Sequence, residues 1–162
     1  MLLRARQHSI ARCFNELAGP RWYAHQMSTH TKNKASYLAA KQAYNARELD
    51  KTLTFYAPEH RLMSSGGRPG REHIQAFLAG TFAAWPDLKL EVVTVVAEDD
   101  WVMGRCVATA THSTAALGVP PTGKAVETTF WDLHRFDERG LIVETWNLMD
   151  ALTLMQQVGK SK

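Results

Sequence analysis

The sequence predicts an α+β fold, a curved antiparallel sheet wrapped over N-terminal helices. Three observations predict it. Apolar residues recur at helical spacing through the first half of the chain, as far as Trp85. From Leu88 the period switches to two and persists through four strand-length segments. Those segments are joined by short turns, which makes neighbouring strands antiparallel, and helices followed by a strand meander bury their apolar faces by packing on one side of the sheet.

Asn33 to about Arg47 reads as a helix, because Ala35, Leu38, Ala39, Tyr44 and the neighbouring alanines favour one. Ala35, Leu38, Ala39 and Gln42 fall on one face, with Lys34 and Lys41 off it. Asp50 is placed to cap a short second helix through Leu53 and Tyr56, which Pro58 ends. His60 to Ser64 suits a short strand, and the density of Gly66, Gly67, Pro69 and Gly70 demands a loop. A third helix runs from about Arg71 to Ala84 on the stripe Ile74, Phe77, Leu78, Phe82 and Trp85, and Pro86 stops it.

The strands follow. Leu88 to Val96 alternates, and Glu98-Asp99-Asp100 turns the chain. Trp101 to Ala115 is a second long strand rich in Val and Thr, and residues 117–124 (Leu-Gly-Val-Pro-Pro-Thr-Gly-Lys) form a rigid loop. Val126 to Phe136 is the next strand, Asp137-Glu138-Arg139-Gly140 a hairpin turn, and Leu141 to Leu148 the last strand. Asp150 caps a final helix through Gln157, with Gly159 past its end.

Composition narrows the function classes. A chain of 162 residues that is 45% hydrophobic and 22% charged is globular and has the length of one domain. The net charge of +3 invites a nucleic-acid reading, but its placement opposes one. Arg4, Arg6, Arg12 and Arg21 face only Glu16 in residues 1–26, whereas residues 27–162 hold fifteen Lys or Arg and fifteen Asp or Glu. The body therefore has no basic bias for a phosphate backbone, and no nucleic-acid partner is expected. Residues 1–30 read as a basic leader or mobile arm outside the fold, and 31–160 as a single domain. The leader fits three explanations: a mitochondrial transit peptide, a translation start at Met27, or a mobile arm; without a targeting role the protein is cytoplasmic. No apolar run approaches a membrane span. Cys13 and Cys106 make no disulfide framework, and Cys106 suits a small buried apolar site. No cysteine or histidine spacing suggests a metal site.

Four segments then carry a resemblance. They are Ala84-Trp85-Pro86-Asp87-Leu88, Ala110-Thr111-His112-Ser113, the Gly118 to Lys124 loop, and Arg135-Phe136 followed by Gly140 to Trp146 and Asp150. Together they resemble the SnoaL-like polyketide cyclase / ester cyclase family of the nuclear-transport-factor-2-like fold group, over about residues 33 to 159. The resemblance implies a cone-shaped half-barrel with one deep apolar pocket, a homodimer formed through the sheet, and a cofactor-independent cyclase, isomerase or dehydratase-type lyase. The small-molecule substrate would be an apolar carbonyl compound handled by enolate chemistry. The family keeps an Asp acid/base on the last strand and a His on the strand before it. Those positions are Asn147 and Asp132 here. Asn147 cannot take a proton, although its amide can donate to an oxyanion.

The residues themselves point to Asp132. Phe130, Asp132 and His134 alternate onto one strand face, so a pocket on that face sets Asp132 beside aromatic surface. Desolvation there would raise its pKa toward that of a general base, with His134 holding or sharing the proton. The competing reading makes Asp132 a solvated edge residue or a partner of Arg105. The candidate catalytic residues are thus Asp132, Asn147 and His134, and the candidate pocket lining is Phe130, His112, Trp85, Met63 and Arg105. His112 equally suits a hydrogen bond to the neighbouring loop. Two further readings stay open: a non-catalytic binding or dimerisation module, and epoxide or ester hydrolysis if Arg105, Asp132 and Asp150 all point inward.

Overall fold

A computed structural model describes the backbone from residue 21 to residue 159, with side chains from Thr29 onward. Residues 1–20 of the basic leader, Cys13 among them, and the side chain of Met27 lie outside the described residues. The elements in order are α1 (Arg21–Asn45), α2 (Leu49–Leu53), β1 (Tyr56–Leu62), a 3-10 turn (Met63–Ser65), α3 (Arg71–Ala84), β2 (Lys89–Glu98), β3 (Trp101–Thr111), β4 (Ala125–Phe136), β5 (Ile142–Met149) and α4 (Ala151–Val158). The fold is α+β, with all five strands in one sheet of order β1-β5-β4-β3-β2. The last four strands form the expected antiparallel meander, and β1 joins β5 in parallel.

Several boundaries differ from expectation for identifiable reasons. Helix α1 begins at Arg21, ahead of the expected Asn33 and across the expected boundary at residue 30, because the polar run from Ser28 to Lys34 carries no apolar period that would signal a helix. The buried face of α1 is Asn33, Tyr37, Ala40, Ala43 and Tyr44, not the expected face of Ala35, Leu38, Ala39 and Gln42. Strand β1 starts at Tyr56 and runs through Pro58. That proline is tolerated because β1 is an edge strand and Pro58 falls in its irregular stretch, between the pairs Tyr56 with Ile142 and Arg61 with Glu144. Helix α2 therefore ends at Leu53, and its N-cap is Glu48, with Asp50 in the first turn. Strand β3 stops at Thr111, short of Ala115. The Asp87 carboxylate accepts the Thr111 N–H at 2.9 and 3.1 Å, and the Thr114 hydroxyl donates to the Ala84 carbonyl, so the chain is tied to the end of α3.

The sheet bends where Val93 is an extra residue between the pairs Val92 with Cys106 and Thr94 with Arg105. Helix α1 packs over β2 and β3, and α3 over β1. The core between helices and sheet is built from Tyr37, Ile74, Leu78, Val102, Phe136 and Ile142. A smaller cluster, Val126 with Leu154 and Val158, seats α4. Asp150 caps that helix by accepting the Thr153 N–H at 3.0 Å, and Gly159 ends it in the left-handed conformation. Among the described residues no helix is long and apolar enough to cross a membrane.

Candidate active site

Cross-strand register decides which side chains meet on the concave face. Gly104, Asp132 and Asn147 are directly opposite one another across β3, β4 and β5. Cys106, Phe130 and Met149 form the next row, and Val102, His134 and Thr145 the row on the other side. The alternate residues, among them Met103, Arg105, Trp131 and Trp146, belong to the opposite face. A cavity of about 470 Å³ opens over the concave rows, a size suited to a small organic ligand. Its walls are mostly apolar, including Tyr44, Leu78, Trp85 and Phe130, and its polar groups include Tyr37, Lys41, Asp132, His134, Thr145 and Asn147.

Asp132 is 1% exposed, so its charge survives only because it is paired. The Tyr37 hydroxyl donates to Oδ1 at 2.8 Å. The Lys41 ammonium and His134 Nε2 both reach Oδ2, the latter at 3.2 Å. Tyr37 and Lys41 are one helical turn apart on α1, which places both over the same carboxylate. Burial is the largest influence on Asp132 and pushes its carboxyl up. The Lys41 charge, the electrostatic influence of the neighbouring His134 ring and the hydrogen bonds from both together outweigh it and hold the group below the ordinary carboxylate range. The expected upward shift is thus reversed, because the desolvation argument omitted a cation from a distant helix. The expected alternative partner Arg105 is not the one used. Burial, then the Asp132 charge, raises the pKa of Tyr37, which stays a phenol and a donor.

The carboxylate heads a longer buried chain. His134 Nδ1 is 2.8 Å from Thr145 Oγ1, and Thr145 Oγ1 is 2.9 Å from His60 Nε2. An ionised carboxylate only accepts, so His134 Nε2 carries its proton and its Nδ1 accepts from the Thr145 hydroxyl. The Thr145 oxygen in turn accepts from His60 Nε2–H. Every proton in the chain points toward Asp132, and His60 Nδ1 ends it with no partner among the described residues. Tyr56 packs edge-on to His60 at 4.9 Å between ring centroids. Burial, followed by His134, lowers the pKa of His60 to about 4, and burial also lowers that of His134.

A stability prediction follows. The unfolded chain takes a proton at His60 below about pH 6.5, the folded chain only below about 4. Stability is therefore complete above about pH 6.5 and declines as pH falls toward 4, by about 1.4 kcal/mol per pH unit for each proton involved. His134 adds to the same decline. His60→Gln keeps an N–H for Thr145 and removes one titration, so it is expected to flatten the decline measured by denaturant unfolding between pH 7 and 5. An unchanged slope would refute the assignment.

The candidate residues separate into two groups. Asp132, His134, Asn147, Phe130 and Trp85 all line the cavity. Asn147 directs its carbonyl oxygen toward the Ser64 hydroxyl at 3.5 Å, leaving its NH₂ as a donor. Three residues are corrected. Arg105 is opposite Trp131 on the outward row and does not line the cavity. Met63 opens the 3-10 turn, which sets its sulfur against Gly67 instead. His112 is buried behind Trp85, ring centroids 5.5 Å apart, and its Nδ1 is 3.0 Å from Thr122 Oγ1, so it holds the Pro120-Pro121 loop. With Arg105 outside and Asp150 engaged as a helix cap, the Arg105–Asp132–Asp150 arrangement for hydrolysis does not assemble. Glu144 pairs with Arg135 at 2.7 Å on the outer face.

Sequence reasoning missed Lys41, Tyr37, Thr145 and His60. One signal was available for two of them: Tyr37 and Lys41 share the helix face of Ala40 and Tyr44, a lysine on an apolar stripe. Among the described residues no three His, Cys, Asp or Glu side chains converge as a metal site.

Comparison with known proteins adds to this geometry. A family model for SnoaL-like polyketide cyclases matches residues 34–158. The chain is similar to the crystal structure of AclR from Streptomyces galilaeus, provisionally described as a hydroxylase, with 30% identity and a TM-score of 0.74 over 82% of this chain and 88% of that one. IdmH from Streptomyces antibioticus, provisionally described as a polyketide cyclase, is 31% identical with a TM-score of 0.70, over 79% of this chain and 99% of IdmH. A SnoaL-like polyketide cyclase from Agrobacterium tumefaciens, at 23% identity and a TM-score of 0.69 over 78% and 98% of the two chains, shares the fold. No curated protein matches.

Proposed function

Since the chain belongs to the SnoaL-like polyketide cyclase family, we propose that it is a cyclase-related, cofactor-independent enzyme that acts on a small apolar carbonyl compound. The observation that carries this reading is Asp132, an ionised carboxylate buried at the wall of an otherwise apolar cavity. Such a group is costly to keep unless it works on a ligand or holds a network together. Asp132 takes the proton from the carbon next to the substrate carbonyl. Asn147, its direct cross-strand neighbour, donates its amide N–H to the oxyanion that develops. His134 donates to Asp132 and orients it, while its other nitrogen accepts from Thr145. The enolate then attacks a second carbonyl and closes a ring, the new alkoxide taking the proton back from Asp132, or Asp132 returns the proton to another carbon of the enolate.

The test is exchange of the hydrogen next to the carbonyl in deuterated water, followed by NMR for a panel of apolar ketones and 1,3-dicarbonyl compounds. Exchange that depends on Asp132 supports the reading. Binding without exchange in any of them supports the second reading, a non-catalytic binding module, which the substitution of Asn147 for the family's acid favours.

The homodimer also belongs to this proposal. Met103, Trp131, Trp146 and Leu148 are exposed on the outer sheet face, in adjoining register rows. Pairing two such faces removes that apolar area from water. Sedimentation equilibrium is expected to return twice the chain mass, and Trp131→Glu the single mass. A monomer for the native chain would refute the pairing.

A further inference from the structure

A carboxylate engaged by Tyr37, Lys41 and His134 is a weak base at rest, so one of the three must let go. Tyr37 is fully buried, and His134 is fixed between Asp132 and Thr145. Lys41 is different. Its side chain is 13% exposed, lines the cavity, and carries its ammonium 5.0 Å from the Tyr37 ring centroid and 5.4 Å from that of Phe130. Asp132 is its one hydrogen-bond partner among the described residues, which leaves two of its three donors for a ligand. Its four-carbon stem allows the ammonium to move while α1 stays in place.

We propose that Lys41 is a second oxyanion-binding catalytic residue of this cavity, beside Asn147, and that its ammonium holds the enolate formed when Asp132 takes the proton. The inference rests on the reading of Asp132 as proton acceptor and adds the cation. With a 1,3-dicarbonyl compound as the example, the neutral form enters with its substituents against Trp85, Phe130 and Leu78. The C–H bond between the two carbonyls breaks, its electron pair passes to a carbonyl oxygen, and the proton forms an O–H bond on Asp132. The negative charge thereby moves from the carboxylate to the enolate, and the ammonium follows it. Before and after the transfer the buried site holds one cation and one anion, so no unpaired charge is ever left in the apolar cavity. The step also strengthens the base when it is needed. Once Lys41 turns to the substrate, burial is less strongly opposed and Asp132 holds a proton more readily. The titratable groups facing Asp132 are Lys41 and Tyr37 from α1, His134 from β4, Cys106 from β3 and Tyr56 from β1. Of these Lys41 alone carries a full positive charge with cavity access. A 1,3-dicarbonyl compound suits the test, because two carbonyls flanking one carbon bring its proton within reach of a side-chain carboxylate, which a simple ketone does not.

The probe is benzoylacetone, whose enolate absorbs at longer wavelength than its enol. Bound to the native protein, it is expected to ionise at a pH at least one unit below its value in water, and Lys41→Met is expected to abolish that shift. No shift in the native protein overturns the inference without any variant, and a shift retained in Lys41→Met overturns it as well. The two readings fail separately. A Lys41-dependent shift without Asp132-dependent exchange sinks the catalytic reading of Asp132 and leaves Lys41 as an enolate-binding cation. Asp132-dependent exchange with no Lys41-dependent shift sinks this inference alone.

Discussion

Asp132→Asn is expected to lower turnover by about 10³-fold and to cost the folded state about 3–5 kcal/mol at neutral pH. The first loss is that of the proton acceptor. The second arises because the amide keeps the shape of the carboxyl group but not its charge, so the Lys41 ammonium, 13% exposed, loses its partner. The two losses are separable. Lys41→Met with Asp132→Asn removes both charges together, so the double variant is expected to regain most of the stability and none of the turnover. Denaturant unfolding of the four proteins, native, two singles and double, measures the coupling. Additive single effects would show that the pair stabilises nothing. The pH dependence has a definite sign. The folded carboxyl is held below its ordinary value, so its contribution is complete above about pH 3.9 and is lost as pH falls through the folded value. The native protein and the Asn variant are therefore expected to converge in stability only in strong acid.

Gly104→Ala is expected to cost about 3 kcal/mol, although alanine is ordinarily the better strand residue. A Cβ at Gly104 would stand 1.8 Å from the Tyr37 hydroxyl oxygen and 2.5 Å from its ring carbon Cζ. Both backbones are fixed, one in β3 and one in α1, so the tyrosine must move and its 2.8 Å bond to Asp132 breaks. A hydrogen bond to a charged acceptor contributes about 1.5–3 kcal/mol, and overpacking adds a similar amount. Tyr37→Phe removes the same bond by another route. Because the two changes share one interaction, the double variant is expected to cost less than the two singles together. Equality with their sum would refute the shared mechanism. Gly104 is thus explained by close approach: the glycine opposite Asp132 makes room for a helix side chain to reach it.

How much of the site could be read in advance depends on sequence separation. Phe130, Asp132 and His134 were legible because a strand's period of two fixes which residues share a face. Asn147 followed from the resemblance. Lys41 and Asp132 are 91 residues apart, and Tyr37 and Asp132 are 95 apart. No local pattern links them, and a lysine on a helix reads as surface until the neighbouring sheet is known. Arg105 illustrates the converse. It is a cation close in space to Asp132 along the sheet, yet it belongs to the outward row, so proximity without facing means nothing.

By itself the sequence determined the order of helices and strands, the α+β class, the antiparallel meander and the family. Those follow from short-range facts: helical and strand periods, proline and glycine positions, and turn lengths. The tertiary structure alone decided the charge state of the site. It brought Lys41 and Tyr37 from α1 onto Asp132, turned an expected rise in its pKa into a fall, and joined His134 through Thr145 to His60. The physical reason is that burial acts on one residue at a time, whereas the field at a buried carboxylate is the sum over every element packed against it.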